Sequence, residues 1–308
     1  MIKVLFTLLF FMNLLNAKEI SGYFHQLENN TEIANPFCYI DYIYLINLDC
    51  RPEKLETCME QLLPYGVIPS RFSAVNGWLL SSIELEELGT KVHSRKLKKH
   101  SCRIVSHEGV EKLKKIAFER VYHDKTCFSN VMTQGAIGCT LSHLSVLQDA
   151  YDSGYEIIWV LEDDIKVIKN PLLLDNYIYL LNSLVGKDNW DILYTDLRPN
   201  SKAFLNKDYM KQCLWRPDMK YTLGNSYSSA SVIDKDFMRI KSRLKTHSMI
   251  ISRSGIKKIL DFVKKHHIFR PYDLELAIIP DIKLYNLCFD LVSATSDISD
   301  NCTPPSKG

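Results

Sequence analysis

The strongest constraint on how this chain folds is an apolar strand pattern that ends in three consecutive acids. Residues 157–161 (IIWVL) form a continuous apolar run of strand length, and Glu162, Asp163 and Asp164 follow it directly. Such a run is typical of a strand that is covered on both faces, as in a parallel sheet flanked by helices. Ligands of open α/β sheets bind at the carboxyl ends of the strands. The pattern therefore predicts an α/β fold with a polar site at the end of this strand.

The segment before this strand is predicted to be a helix. Apolar or small residues recur there at the three- or four-residue spacing of one buried helix face, at Ile137, Leu141, Leu144, Leu147 and Tyr151. Gly154 favours the end of the helix, because glycine adopts the left-handed conformation at little cost. We expect this helix to pack against the sheet beside the acids.

The rest of the chain alternates the same two kinds of element. Strands are predicted at 42–48, 71–75, 190–195, 246–252 and 283–287, and helices at 52–63, 82–88, 108–121, 171–185 and 254–263. Strands that alternate with helices favour a mainly parallel sheet with helices on its faces. The sequence contains neither GxGxxG nor GxxxxGK[ST], so a standard dinucleotide fold and a P-loop are both disfavoured.

Composition and charge bound the kind of protein. The chain has 308 residues, of which 46% are hydrophobic and 24% charged, and its net charge is +2. These values are ordinary for a globular protein and give no field that would attract nucleic acid. We expect one domain over 41–290, preceded by a leader at 18–40 and followed by a flexible tail at 291–308. The oligomeric state is left open.

A basic insertion is expected at 91–125, where eleven Lys and Arg residues stand against four Asp and Glu residues. Such a segment is either a solvated helical insertion or a surface that faces anionic lipid or a phosphorylated acceptor. Association with a membrane surface is thus one of two interpretations.

The N-terminus resembles a secretory signal peptide. Met1, Ile2 and Lys3 precede a mostly apolar stretch from Val4 to Leu15, and Ala17 is a candidate cleavage residue. Residues 1–17 are therefore interpreted as a signal peptide or as an uncleaved membrane anchor. The first interpretation places the protein in a secretory, periplasmic or lumenal compartment. The second places it at the inner membrane with a cytoplasmic active site.

The three acids are the best candidates for a metal site. Mg²⁺ and Mn²⁺ prefer carboxylate oxygens and keep positions open for phosphate oxygens. Because neighbours on a strand point to opposite faces, we expect only one or two of the three to be ligands, with Asp164 preferred and Glu162 next. The alternative is a solvated acidic turn without a metal.

Six short motifs, in order along the chain, carry a family resemblance. They are YLINLD at 44–49 with Arg51 and Pro52, AVNG at 74–77, GAIGCTLSH at 135–143, LEDD at 161–164, THSMIIS at 246–252 and PYDLEL at 271–276. Together they resemble glycosyltransferase family 25, which includes lipopolysaccharide and lipooligosaccharide galactosyltransferases and the collagen galactosyltransferase domain. The resemblance spans about 42–290.

The resemblance implies a GT-A-like fold, a nucleotide-sugar donor such as a UDP-sugar, and Mn²⁺ or Mg²⁺ as cofactor. The expected reaction is an inverting transfer of a hexose, such as galactose, to a glycan or a lipopolysaccharide-type acceptor. The matching motifs assign donor-side roles to six residues: Asn47, Asp49, Arg51, Ser142, His143 and His247. Turn formation is the alternative for the first two, and structural hydrogen bonding is the alternative for the histidines.

An inverting transfer needs a general base, usually a carboxylate, to accept the proton of the acceptor hydroxyl. Asp273 is the preferred candidate, with Glu275 and Asp196 as alternates. The alternative for Asp273 is to cap a helix that starts after Pro271.

Two other classes of function compete with this interpretation. The first is an exported carbohydrate-binding or host-interacting protein that keeps the fold without catalysis. The second is a metal-dependent phosphoesterase that uses the same acids. The phosphoesterase requires further His and Asp ligand clusters, which the sequence does not show.

Overall fold

An eight-stranded sheet lies at the centre of the computed structural model, which describes residues 19–27, 35–92, 102–105, 114–115, 125–197, 215–219, 227–295, 300–301 and 304. The strands are β1 (Tyr42–Asn47), β2 (Ser70–Ser73), β3 (Thr90–Val92), β4 (Cys102–Ile104), β5 (Lys114–Lys115), β6 (Lys125–Ser129), β7 (Ile157–Glu162), β8 (Ile165–Val167), β9 (Ile192–Tyr194), β10 (Ala230–Val232), β11 (Phe237–Ile240), β12 (Ser248–Ser252), β13 (Leu284–Leu287) and β14 (Val292–Ala294). The α-helices are α1 (Pro52–Leu62), α2 (Ser82–Leu88), α3 (Gln134–Asp152), α4 (Leu174–Val185), α5 (Arg253–His266) and α6 (Tyr272–Leu276).

The strand order in this sheet is β10-β11-β13-β9-β12-β7-β1-β2. The pairs β1–β2, β1–β7 and β9–β13 are parallel, whereas β11 and β12 run antiparallel to both of their neighbours. Six strands therefore point the same way and two point back. The predicted α/β class, with a GT-A-like, mainly parallel and helix-flanked sheet, is confirmed. The carboxyl ends of β1, β7 and β9 meet the amino end of β12 at one edge.

Strand β7 shows why its sequence lacks polar alternation. Ile158 and Val160 pack into one apolar cluster with residues of α3 and α5, whereas Trp159 and Leu161 pack into a second cluster with residues of α1 and α4. Both faces of the strand are thus covered by helices. Each fully buried side chain of this kind contributes about 1.5–3 kcal/mol of burial free energy.

Helix α3 confirms the prediction made from its periodicity. The side chain of Thr133 caps its first turn by accepting a hydrogen bond from the backbone N–H of Ala136, at 3.0 Å. Gly154, with φ of +80°, follows its end. The helix is buried almost all round, with fourteen of its nineteen residues buried. The sheet, α5 and the 75–80 turn cover it on several sides. The prediction of one buried face therefore underestimated how much of the helix is buried.

The prediction of a helix at 108–121 is wrong where the structure describes that range. Lys114–Lys115 is strand β5, which pairs antiparallel with β4, and β3, β6, β4 and β5 form a separate four-stranded sheet. Antiparallel pairing with β4 overrides local helical preference here. The remainder of that range lies outside the described residues.

Several predicted segments lie wholly or mainly outside the described residues. They are the signal or anchor segment at 1–17, parts of the leader at 28–34, much of the insertion at 91–125, and 296–299 with most of 302–308 of the tail. Among the residues that the structure does describe, no helix has the length and apolar character needed to cross a membrane. The predicted tail begins with strand β14, which pairs with β8.

Close backbone contact fixes the start of α3 against the turn that follows β2. A Cβ atom at Gly138 would lie 2.4 Å from the backbone nitrogen of Gly77 and 2.4 Å from the carbonyl oxygen of Val75. A Cβ atom at Gly77 would lie 1.9 Å from the carbonyl oxygen of Gln134. Only residues without a Cβ allow this approach, which explains a glycine in each of the AVNG and GAIGC motifs.

Because of this contact, we expect Gly138→Ala to lower the stability of the protein, opposite to its usual effect in a helix. In an ordinary helix interior the change stabilises by about 1 kcal/mol. Here the added methyl group meets backbone atoms that cannot rotate away, so we expect a destabilisation of about 2 kcal/mol. Urea denaturation would measure it, with Gln148→Ala on the same helix as a control that changes stability by less than about 0.5 kcal/mol. Equal or greater stability of Gly138→Ala would contradict the close contact.

Candidate functional site

A cleft with two adjoining lobes lies at the carboxyl edge of β1 and β7. The β2 lobe is lined by α1, by the turn after β2 and by the start of α3. The α6 lobe is lined by the start of β12, by the start of α6 and by α3. Both lobes are lined by Cys139, Glu162, Asp164 and Asn301. The acids after β7 therefore stand at the junction of the two lobes.

All three acids face this cleft. Glu162 is the last residue of β7, and Asp163 and Asp164 form the turn before β8. Strand alternation stops at Glu162, so the rule that sends neighbours to opposite faces does not apply to the next two residues. Glu162, Asp163 and Asp164 all line the β2 lobe as a result.

Glu162 is held in its ionised form by hydrogen bonds. Its Oε1 atom accepts from Nε2 of His143 at 3.0 Å and from the hydroxyl of Thr246 at 2.6 Å. Burial alone raises the pKa of Glu162, but the contacts with His143 and Thr246 outweigh it, and the pKa is lowered. The His143 ring is stacked on Tyr272 at 4.4 Å between ring centroids, which fixes its orientation.

Asp163 is oriented by Asn47. The side-chain amide of Asn47 donates to Oδ2 of Asp163 at 2.8 Å and to the carbonyl oxygen of Arg51 at 2.8 Å, and its own oxygen accepts from Arg71 at 3.1 Å. Burial raises the pKa of Asp163. The ammonium group of Lys54 lies 4.0 Å from this carboxylate.

Asp164 differs from the other two acids in its hydrogen bonding. Its Oδ1 atom is buried and has no hydrogen-bond partner among the described residues. Burial, reinforced by the charge of Glu162, raises the pKa of Asp164 to about 6. A buried carboxylate oxygen without a donor is costly unless a ligand supplies positive charge. This atom therefore points to a site for a cation.

Two further donor-side candidates, Ser142 and Asp49, have different surroundings. Ser142 is structural, because its hydroxyl donates to the carbonyl of Gly138 at 2.8 Å and accepts from the backbone N–H of Val75 at 2.8 Å. Asp49 is exposed, and its pKa is lowered by its ion pair with Arg71.

Arg51 lies beside the β2 lobe and contacts Asp300 through two nitrogens, with Nη2 to Oδ1 at 2.7 Å and Nε to Oδ2 at 3.2 Å. Arg51 thus contacts a carboxylate in this structure, and its donor-side role stays a prediction.

Asp273 is the candidate base that faces the cleft. It lines the α6 lobe together with Glu162 and Asp164. Its carboxylate accepts from the backbone N–H of Lys245 at 3.0 Å and from that of Leu274 at 2.7 Å. Burial raises the pKa of Asp273, so that its carboxylate is a stronger base than a solvated aspartate.

Asp196 belongs to a buried charge network. Arg243 donates to its Oδ1 atom at 2.5 Å, and Nε2 of His247 lies 3.1 Å from its Oδ2 atom. Burial raises the pKa of Asp196, but the contacts with His247 and Arg243 dominate and the pKa is lowered. His247 also lines the α6 lobe, so this network braces the wall of the cleft.

Glu275 does not line either lobe. Its side chain is buried and forms ion pairs with Arg216 and Arg270, the second at 3.4 Å. Its place on α6, two residues after Asp273, sends it into the protein interior.

The sequence did not single out several residues that line the cleft: Lys54, Trp78, Cys139, Lys245, Thr246, Tyr272, Asp300 and Asn301. One signal was available for Lys54, because it lies three residues after Arg51 at the start of a predicted helix and therefore on the same side. Asp300 had no comparable signal, since it approaches Arg51 from 249 residues away.

The donor set fits a hard divalent cation. Asp164 offers a buried oxygen that no described residue contacts by a hydrogen bond, and Asp163 offers a second carboxylate beside it. Magnesium and manganese favour such oxygen ligands. Cys139, His143 and Glu162 also bring ligand atoms within 4.8 Å of one another. However, burial raises the pKa of the Cys139 thiol well above its usual value, which keeps it protonated and a poor ligand.

Comparison with known proteins gives one family. The model of "Glycosyltransferase family 25 (LPS biosynthesis protein)" matches residues 40–275. A Drosophila melanogaster protein named glycosyltransferase 25 family member is 28% identical over 173 residues, which cover 56% of this chain and 23% of that protein. The matched part thus spans about a fifth of the length of the curated relatives.

Two vertebrate relatives carry more specific names. Procollagen galactosyltransferase 1 of Danio rerio is 23% identical over 155 residues, which cover 50% of this chain and 21% of that protein. The human protein named inactive glycosyltransferase 25 family member 3 is 24% identical over 155 residues, with the same coverage.

The network around Asp196 predicts a large stability effect for Asp196→Asn. The change leaves the buried guanidinium of Arg243 without a counter-charge, so we expect a loss of about 3 kcal/mol at pH 7. The lowered pKa means that this contribution is present above the unfolded value of 3.8 and is lost as pH falls through the folded pKa. The difference from wild type should therefore shrink below about pH 4.

Chemical denaturation at pH 7 and at acidic pH would measure both parts of this prediction. Asp261→Asn is the matched control, because Asp261 forms an exposed ion pair with Lys257 and should change stability by less than about 0.5 kcal/mol. Equal effects of the two substitutions at pH 7 would refute the buried network.

Proposed function

The chain belongs to glycosyltransferase family 25, and we propose that it transfers a hexose such as galactose from a nucleotide-sugar to a glycan or a lipopolysaccharide-type acceptor. The observation that carries this proposal is the position of Asp164. Its buried Oδ1 atom, which has no hydrogen-bond partner in the described part of the chain, lies where the two lobes of the cleft join. A transferase needs such a junction, because donor and acceptor must meet at the reacting carbon.

The β2 lobe is proposed as the donor side. It combines the acidic turn with a basic side chain, Lys54, and with the indole of Trp78. Carboxylates that can hold a metal cation, an ammonium group that can contact phosphate and an aromatic side chain together suit a UDP-sugar. Asp164 and Asp163 are proposed to hold Mn²⁺ or Mg²⁺. When bound, this cation stabilises negative charge on the diphosphate.

The α6 lobe is proposed as the acceptor side. An acceptor hydroxyl near Asp273 forms a bond to the anomeric carbon of the donor sugar as the bond from that carbon to the diphosphate oxygen breaks. The electron pair of the broken bond leaves with the nucleoside diphosphate, and the hydroxyl proton passes to the carboxylate of Asp273. Attack from the side opposite the leaving group inverts the anomeric centre.

The other candidate bases have supporting parts in this proposal. Asp196 is paired with Arg243 and His247, and Glu275 is paired with Arg216 and Arg270. A carboxylate that is ion-paired with cationic side chains is a weak proton acceptor. Asp273 bonds only to backbone N–H groups among the interactions described for its carboxylate, which orient it without neutralising its charge.

The compartment depends on residues 1–17, which lie outside the proposed cleft. A secretory or lumenal enzyme and a membrane-anchored enzyme would carry the same cleft. Comparing the localisation of the full chain with that of a variant lacking residues 1–17 separates these two cases.

The first prediction concerns nucleotide binding. UDP together with Mn²⁺ should raise the melting temperature by about 5 °C when UDP is present at a hundred times its Kd. Asp164→Asn should abolish the gain, because the buried carboxylate that attracts the cation is lost. Differential scanning fluorimetry measures both.

Asp261→Asn, an aspartate on the exposed surface of α5, is the matched control and should keep the full gain. If no common nucleotide stabilises the wild-type protein with either cation, the transferase proposal fails. The carbohydrate-binding protein without catalysis would then be favoured.

The second prediction separates chemistry from binding. Asp273→Asn should lower kcat about 10²–10⁴-fold, because the amide cannot accept the hydroxyl proton. The affinity for UDP should stay within about twofold, since Asp273 lines the α6 lobe only. Steady-state kinetics and calorimetric titration with UDP test these expectations. An unchanged kcat would exclude Asp273 as the base.

A further inference from the structure

Two cationic side chains, Lys54 in the lining of the β2 lobe and Arg51 beside it, are both bound to one carboxylate. Asp300 accepts from Arg51 at 2.7 and 3.2 Å and from the ammonium group of Lys54 at 2.9 Å. The side chains of these three residues keep between 17% and 21% of their exposure. The Asp300 carboxylate thus lies in the wall of the cleft and not in the core. A soluble anion can therefore reach the two cationic side chains that it contacts.

Thr295 and Asp300, which are both described, are each fixed beside the cleft by a hydrogen bond. Strand β14 pairs with β8 directly after the acidic turn, and the backbone N–H of Thr295 donates to the carbonyl of Asp164 at 2.7 Å. Further along, the indole N–H of Trp78 donates to the carbonyl of Asp300 at 3.0 Å. A Cβ atom at Gly135 would lie 2.7 Å from that same carbonyl oxygen. The start of α3 therefore leaves room for the backbone of Asp300.

The geometry around Asp300 is that of an anion site. An arginine that offers two N–H groups and a lysine that adds a third donor form a set that also suits phosphate oxygens. Lys54 lies 2.9 Å from Asp300 and 4.0 Å from Asp163, so it connects this site to the acidic turn. A group bound here stands next to the proposed position of the cation.

We propose that Arg51 and Lys54 form a phosphate subsite for a nucleoside diphosphate, and that the carboxylate of Asp300 occupies this subsite until the nucleotide displaces it. The inference rests on the proposed function for the identity of the ligand. Asp300 acts as an internal competitor, since one carboxylate and one phosphate group cannot share the same three donors. The diphosphate carries more charge than a carboxylate and can also contact a cation held by the acids.

Competition makes a prediction that a structural role does not. If Asp300 only held Arg51 and Lys54 in place, its removal would weaken nucleotide binding. If it competes, its removal frees the subsite, and the apparent affinity rises by the inverse of the fraction of molecules in which the subsite was free. We expect Asp300→Ala to bind UDP about tenfold more tightly than wild type in the presence of Mn²⁺.

The test is calorimetric titration of the full chain with UDP and with uridine, each in Mn²⁺. The gain in Asp300→Ala should appear with UDP and be absent with uridine, which has no phosphate. Glu53→Ala is the matched control, because Glu53 lies 3.8 Å from Arg51 but is exposed and outside the cleft lining. This variant should bind UDP like wild type.

Arg51→Ala and Lys54→Ala complete the test and should each weaken UDP binding without changing the affinity for uridine. If Asp300→Ala binds UDP no more tightly than wild type, or gains equally for uridine, the inference is overturned while the proposed function stands. If wild type and all variants fail to bind UDP, the proposed function itself fails. Circular dichroism of each variant checks that it is folded.

Discussion

The structure depends on accommodating three carboxylates at the end of a strand that is buried on both faces. Negative charge removed from water is costly unless donors or cations compensate it. The three acids are accommodated in different ways. Glu162 accepts hydrogen bonds from His143 and Thr246, and Asn47 orients Asp163. Asp164 keeps a buried oxygen without a partner among the described residues. The protein thus stabilises Glu162 and orients Asp163, and Asp164, with Asp163 beside it, is left to attract the proposed cation.

The same requirement explains why so many elements converge on this edge. Strand β1 ends in Asn47, α3 brings His143, and the chain before β12 brings Thr246. The antiparallel direction of β12 matters here, because it places the beginning of that strand, and not its end, beside the acids. Helix α3 reaches the site only because glycines at 77 and 138 allow backbone contact. Stability and site geometry thus share the same residues.

Sequence periodicity was informative where burial follows a regular pattern and failed where contacts are distant. The strand at 157–161, helix α3 and the amphipathic helix α5 were predicted correctly, because a continuous apolar run indicates a strand buried on both faces and a three-to-four spacing reports which helix face is buried. The helix predicted at 108–121 was wrong at Lys114–Lys115, where pairing with β4 decides the conformation. The sequence also did not predict that Asp273 faces the cleft and Glu275 the interior. Two residues apart on a short helix, they point in different directions.

The sequence by itself determined that this chain is an α/β protein with an acidic edge and that it carries the ordered motifs of one family, because both depend on local pattern and composition. Only the tertiary structure decided what each polar residue does. Ser142 joins two backbones, Asp196 neutralises Arg243, and Asp300 binds Arg51 from 249 residues away. Hydrogen bonds and ion pairs depend on distances of about 3 Å between atoms. Separation along the chain does not determine such distances, so the division into two lobes and the open oxygen of Asp164 became visible only in the folded protein.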